Sequence, residues 1–90
     1  MRITTKPGGQ ARVVLNLTAP ATEGQDHWLV KHKLGKIVAR ESHPNNWQVT
    51  PVDAGHADVA VPPRTEVNTY TVYVREDPAK PYAAGQFEVR

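Results

Sequence analysis

Two segments constrain this chain most: Val13-Val14-Leu15-Asn16-Leu17-Thr18-Ala19-Pro20 and Asn68-Thr69-Tyr70-Thr71-Val72-Tyr73-Val74-Arg75. Both alternate apolar with polar residues over the length of a strand. Period-two alternation gives one buried and one wet face, the mark of an antiparallel sheet. Two such strands, far apart in ninety residues, point to a small all-β sandwich occupying residues 1–90 as one domain. A chain this short buries a modest core. It has no cysteine, so neither a disulfide nor a thiolate metal site can assist, which fits a reducing compartment. Eight prolines and six glycines suit short strands joined by many turns.

About seven strands are expected. Residues 2–6 form a short edge strand, ended by Pro7-Gly8-Gly9. Residues 11–18 form one strong strand with Val13, Leu15 and Leu17 on one face. Residues 27–33 and 36–41 form a hairpin about Leu34-Gly35, because glycine tolerates the positive φ of a tight turn. In that register Val30 faces Ala39, His32 faces Ile37 and Trp28 faces Glu41, all toward the core. Residues 47–52 are a strand weakened by Pro51. Residues 57–61 follow, with Val59 and Val61 inward. Residues 67–75 are the longest strand, with Tyr70, Val72 and Val74 inward. A proline-rich loop covers 77–84, and 85–90 closes the fold with Phe87 and Val89 inward. No segment has 3.6-residue periodicity, and turn signals recur at the spacing expected of a sandwich.

These segments resemble a fibronectin type III or immunoglobulin-like domain, a Greek-key β-sandwich. Leu15-Asn16-Leu17-Thr18-Ala19-Pro20 resembles the second strand of that family, with Leu17 where a tryptophan is usual. Trp28-Leu29-Val30 resembles its third strand, and Tyr70-Thr71-Val72-Tyr73-Val74 its sixth. The resemblance implies that Tyr70 bonds back to the preceding loop as a tyrosine corner. Gly85-Gln86-Phe87-Glu88-Val89 is similar to the family's closing strand. It further implies a building module, of the kind found as capsid or tail decorations in bacteriophage virions.

No arrangement for catalysis is recognisable. His27 and His32, five apart in an extended strand, point to opposite faces, while His43 and His56 fall in separate loops. No metal site and no cofactor are therefore expected. The carboxylates lie mostly in turns, and Ser42, the one serine, sits in a turn beside His43. Asn16-Leu17-Thr18 matches a glycosylation acceptor but reads as outward strand residues. The opening residues lack the apolar run of a signal peptide, and no segment approaches the roughly 18 apolar residues of a membrane span. The Met1 start favours a complete small protein. Host cytoplasm during assembly, and then a virion surface, are the expected locations.

The basic hairpin is the leading candidate for function. Its strand beside Trp28 is expected to pair with the strand bearing Tyr70. The outward residues Leu29, Lys31, Lys33, Val38, Arg40, Thr71, Tyr73 and Arg75 would then form one surface. Aromatic and arginine side chains anchor protein interfaces, so this face is expected to dock on a protein assembly such as a capsid or tail. Edge strands at 2–6 or 85–90 could add a partner's strand, and a homo-oligomer is compatible with this use. The alternative is a carbohydrate-binding module using Trp47 as a platform for a glycan. Trp28 alternates with core residues and is read as core. Nucleic acid is the third reading, and a net charge of only +2 disfavours it.

Overall fold

The computed structural model describes residues 2–20 and 24–90. They are all-β and form nine strands: β1 (Thr4–Thr5), β2 (Gln10–Val14), β3 (Leu17–Ala19), β4 (Trp28–His32), β5 (Ile37–Arg40), β6 (Gln48–Asp53), β7 (His56–Ala60), β8 (Asn68–Val74) and β9 (Tyr82–Val89). No described helix is long and apolar enough to cross a membrane.

The strands make two sheets. The larger has six, in the order β1-β9-β8-β4-β5, with β3 also on β9. β1 runs parallel to β9 at Glu88–Val89, and β3 runs antiparallel to it at Tyr82–Ala84. The smaller sheet is β2-β7-β6, antiparallel throughout. Alternation sends Val30, Tyr70, Val72, Phe87 and Val89 of the larger sheet and Ala11, Val13, Ala57 and Val59 of the smaller into one shared core, a sandwich-like arrangement. Trp28 packs against that core, as expected of it, while staying partly exposed.

Trp47, Tyr70 and Phe87 form the aromatic centre of the core. Tyr70 stacks on Phe87 with centroids 5.8 Å apart, and Trp47 tilts against Tyr70 at 5.4 Å. The Tyr70 hydroxyl donates to the Glu66 carbonyl at 2.6 Å, which satisfies its one polar atom while its ring stays buried. Burial, with a smaller contribution from Glu66, raises the Tyr70 pKa above that of a free phenol.

The structure divides two segments differently from the expectation. Residues 11–18 are not one strand. The chain leaves the smaller sheet after β2 and joins the larger as β3. Leu15 N–H donates to the Gly55 carbonyl on one side, and Asn16 N–H to the Ala84 carbonyl on the other. This switch interrupts the alternation, so Val13 is fully buried while Leu17 is 51% exposed. The last strand begins at Tyr82, three residues earlier than expected. It is also interior, with β8 on one side and β1 and β3 on the other, so residues 85–90 are not an edge open to a partner strand.

β5, one edge of the larger sheet, is blunted from within. Its Arg40 forms a two-bond bridge with His43, and the Asn45 side-chain amide donates to the Val38 carbonyl at 3.1 Å. The Asn45 and Asn46 backbones both have positive φ, at 48° and 67°, in the turn closed by Trp47 N–H to the Pro44 carbonyl. Asparagine tolerates that region better than most residues.

The strand crossing fixes Gly85. A Cβ there would stand 2.0 Å from the Val14 carbonyl oxygen and 2.8 Å from Val13 Cγ1. The first is backbone and the second belongs to a fully buried side chain, so neither can yield cheaply. Gly85→Ala is expected to destabilise the fold by about 3 kcal/mol, lowering Tm by more than about 10 °C in a thermal melt. Gly35→Ala meets open space and suffers only from its φ of 86°, so it should cost about 1 kcal/mol.

Candidate docking face

The outer face of the larger sheet follows from the register. With Tyr70, Val72 and Val74 turned inward, Thr69, Thr71 and Tyr73 turn outward. Tyr73 pairs with Leu29 and Ala84, Leu29 with Arg40, and Ala84 with Leu17. Arg40, Leu29, Tyr73, Ala84 and Leu17 therefore cross the face as one row. Lys31, Thr71 and Gln86 make the next row.

The face is only half open, and the reason is Asp26. This residue, 7% exposed, lies in the connection between β3 and β4. Its carboxylate accepts a short hydrogen bond from Arg40 Nε, one from Ser42 N–H at 2.9 Å and a longer one from Ser42 Oγ at 3.4 Å. Its backbone carbonyl accepts from Tyr82 Oη at 2.9 Å and from Arg75 Nε at 3.0 Å. The other Arg75 nitrogens donate to the carbonyls of Gly24 and Pro78, and its guanidinium lies 4.1 Å from the Tyr82 ring centroid. One carboxylate and one guanidinium thus clip the segment around residues 24–27 onto the sheet. Tyr82 is buried against it, and Leu29 and Ala84 on the same face are buried too, though none belongs to the shared core between the sheets.

The expected docking residues divide accordingly. Leu29 does point outward but is fully buried, which corrects its expected exposure. Arg75 is 5% exposed because the clip consumes its donors. Val38 is not on this face. A bulge between Val30 and Lys31 breaks the hairpin register, and Val38 packs against the core. The same bulge replaces the expected His32–Ile37 pair by Lys31–Ile37, while Val30 does pair with Ala39. Arg40 is half-buried beside Asp26. Lys33 is exposed, in the turn after β4 rather than on the sheet. Lys31 and Tyr73 come together: the ammonium lies 5.4 Å from the ring centroid, and the ring meets Tyr82 edge-on at 5.9 Å. Lys31, Thr71, Tyr73 and Gln86 are what the clip leaves accessible.

Trp47 offers no platform. It is 5% exposed and lies against Tyr70 and Phe87, so a glycan cannot stack on it without opening the core. Each histidine has a local partner: His27 with Glu41, His32 with Leu34 N–H, His43 with Ser42, and His56 with Asp53. No three His, Cys, Asp or Glu side chains gather among the described residues.

Sequence reading missed Asp26 and Tyr82. Tyr82 follows Pro81 directly and reads as loop, and nothing local marks Asp26 as the partner of residues 14 and 49 positions away.

Burial alone would raise the Asp26 pKa, but the Arg40 and Ser42 hydrogen bonds outweigh it and hold the carboxyl below its ordinary 3.8. A carboxyl with a lowered folded-state pKa adds stability above its unfolded value, and that stability is lost on acidification through the folded value. The fold should therefore weaken below a pH of 3.8. The lowered Asp53 and Asp58, both at the surface, act in the same direction. Chemical denaturation across pH should show that Asp26→Asn is less stable at neutral pH, by about 2 kcal/mol, and loses less on acidification. Equal acid slopes in the two proteins would remove Asp26 from this role.

Comparison with protein-family models, with curated proteins and with solved structures finds no match for this chain.

Proposed function

We propose that this chain is a non-enzymatic structural module that docks on a larger protein assembly through the open half of its outer sheet face. The observation that carries the reading is Lys31 held over Tyr73, with Tyr73 braced on the buried Tyr82. Aromatic residues presented on a rigid surface lose little entropy on binding, and such groups dominate interface energetics. The pair sits on β4 and β8, interior strands of the larger sheet. The blunted β5 edge disfavours strand addition beside β4.

A fibronectin type III or immunoglobulin-like Greek key is the finer fold assignment we propose. The strand orders β9-β8-β4-β5 and β2-β7-β6 and the Tyr70–Glu66 hydrogen bond support it. The assembly we favour is a phage capsid or tail, where small modules of this shape serve as decorations. The module would reach it from the host cytoplasm and end on the virion surface.

The test is a tagged pull-down from the native source with size separation. Co-elution with one large shell or tail species is expected. Lys31→Glu combined with Thr71→Arg should abolish that co-elution, with Tm within about 2 °C of wild type, since both sites are partly solvated. Undiminished co-elution of the double variant would move docking off this face.

A further inference from the structure

The chain's formal charge is only +2, but its cations are not evenly spread. Strand register assigns the loops to ends of the sandwich. Tyr70 pairs with His32, Gln48 and Gln10 both pair with Ala60, and Thr5 and Asn68 both pair with Val89. The turns at 6–9, 33–36 and 44–47 and the 62–67 loop therefore share one end. A recess lined by His32, Asn45, Trp47, Arg64 and Glu66 joins the base of the β4–β5 hairpin to the 44–47 turn and the 62–67 loop. Gly8 N–H donates to the Pro62 carbonyl at 3.2 Å and ties the 6–9 turn to the same loop.

This end carries Lys6, Lys33, Lys36 and Arg64, all exposed, against one exposed acid, Glu66. None of the four cations has an ion-pair partner among the described residues. Arg90, also at this end, is bonded to Glu88 at 3.0 Å. Arg64 occupies its turn with a φ of 68°, where glycine or asparagine is the less costly choice. Thr65 holds the turn, its N–H and its hydroxyl both donating to the Pro62 carbonyl.

The same end carries the two most exposed large apolar residues described, Leu34 at 86% and Val67 at 64%. Both stand past the His32–Tyr70 pair, on the loops that leave the neighbouring strands β4 and β8. The Leu34 turn is fixed by Gly35 N–H to the His32 carbonyl and by Leu34 N–H to His32 Nδ1. Unpaired cations alone would serve nucleic acid or an anionic bilayer alike. The aliphatic tips separate the two. Nucleic acid gains from aromatic stacking, and the aromatic residues at this end, Trp47 and Tyr70, are buried in the core. A bilayer needs no ring and no matching pocket. Its headgroups take the cations, and its acyl boundary takes a leucine or a valine where each stands.

We infer that this end of the sandwich docks on an anionic lipid surface. Leu34 and Val67 enter the boundary between headgroups and acyl chains, and Lys6, Lys33, Lys36 and Arg64 lie against the anionic headgroups. The chain lies on the bilayer and does not cross it. The seven residues of β8 put the opposite end about 20 Å away. That exceeds the roughly 10 Å screening length of 0.1 M salt, so charges at the far end contribute little. The contact does not use the Lys31–Tyr73 face, so the two readings fail separately.

Flotation of the chain with vesicles of phosphatidylcholine, with and without phosphatidylglycerol, tests this. Binding is expected on the anionic vesicles at low salt, lost at high salt, and absent on phosphatidylcholine alone. Lys33→Glu and Lys80→Glu change the net charge equally, but Lys80 lies in the loop between Val74 and Ala83, at the opposite end. Lys33→Glu should weaken binding about tenfold or more, and Lys80→Glu by less than about twofold. Leu34→Ser should weaken it about tenfold with Tm unchanged, because the side chain is already solvated in the free chain. Leu34→Trp should keep binding, and brominated acyl chains should quench its fluorescence. A chain that stays unbound at low salt overturns the inference, as do equal losses in Lys33→Glu and Lys80→Glu. So does binding indifferent to Leu34→Ser. Duplex DNA bound in preference to anionic vesicles would overturn it too, and make this end a nucleic-acid surface.

Discussion

The ion pair between Asp26 and Arg40, together with the Arg75 hydrogen bonds to the Gly24 and Asp26 carbonyls, determines what the outside of this protein is. It bonds and covers Tyr82, on an outer face where Leu29 and Ala84 are also buried. Buried charges of this kind are tolerated only when their hydrogen-bonding capacity is met. That condition holds: among the described residues, no buried side-chain nitrogen or oxygen lacks a partner. The clip therefore converts a two-layer sandwich into one with a small third layer over half of one face. What remains open is a strip centred on Lys31, Thr71 and Gln86.

The core was largely legible in the chain because it depends on local alternation. Tyr70, Val72, Val74, Phe87 and Val89 face inward as their period-two spacing requires, and Val59 and Val61 do the same. The Leu34-Gly35 turn was legible through the positive φ it needs. Pro51 lies in β6, an edge strand, where its missing N–H is tolerated.

The failures share one cause. Alternation tells which residues share a face but not what covers that face. Leu29 was correctly placed outside the shared core, yet it is fully buried on the outer face. Arg75 was read as an interface cation and is instead a structural donor to backbone carbonyls. The sheet switch after β2 was hidden because Leu15-Asn16-Leu17 keeps the alternating pattern while the backbone changes sheets. Its signal was Gly85, whose missing Cβ lets the backbone of the crossing strand approach closely. Val38 failed for a register reason, since one bulge reverses every assignment beyond it.

The clip is tested most directly by native-state hydrogen exchange at the Ser42 amide, which donates to the Asp26 carboxylate. Ser42 lies in a short surface turn, where an unclipped amide exchanges through local opening. A clip that holds the outer layer closed predicts Ser42 protection comparable to that of Val30 and Val72 amides, lost together with them in one global unfolding. Fast exchange at Ser42 beside slow exchange at Val30 and Val72 would contradict it, and would leave Tyr82 beneath a layer that opens on its own.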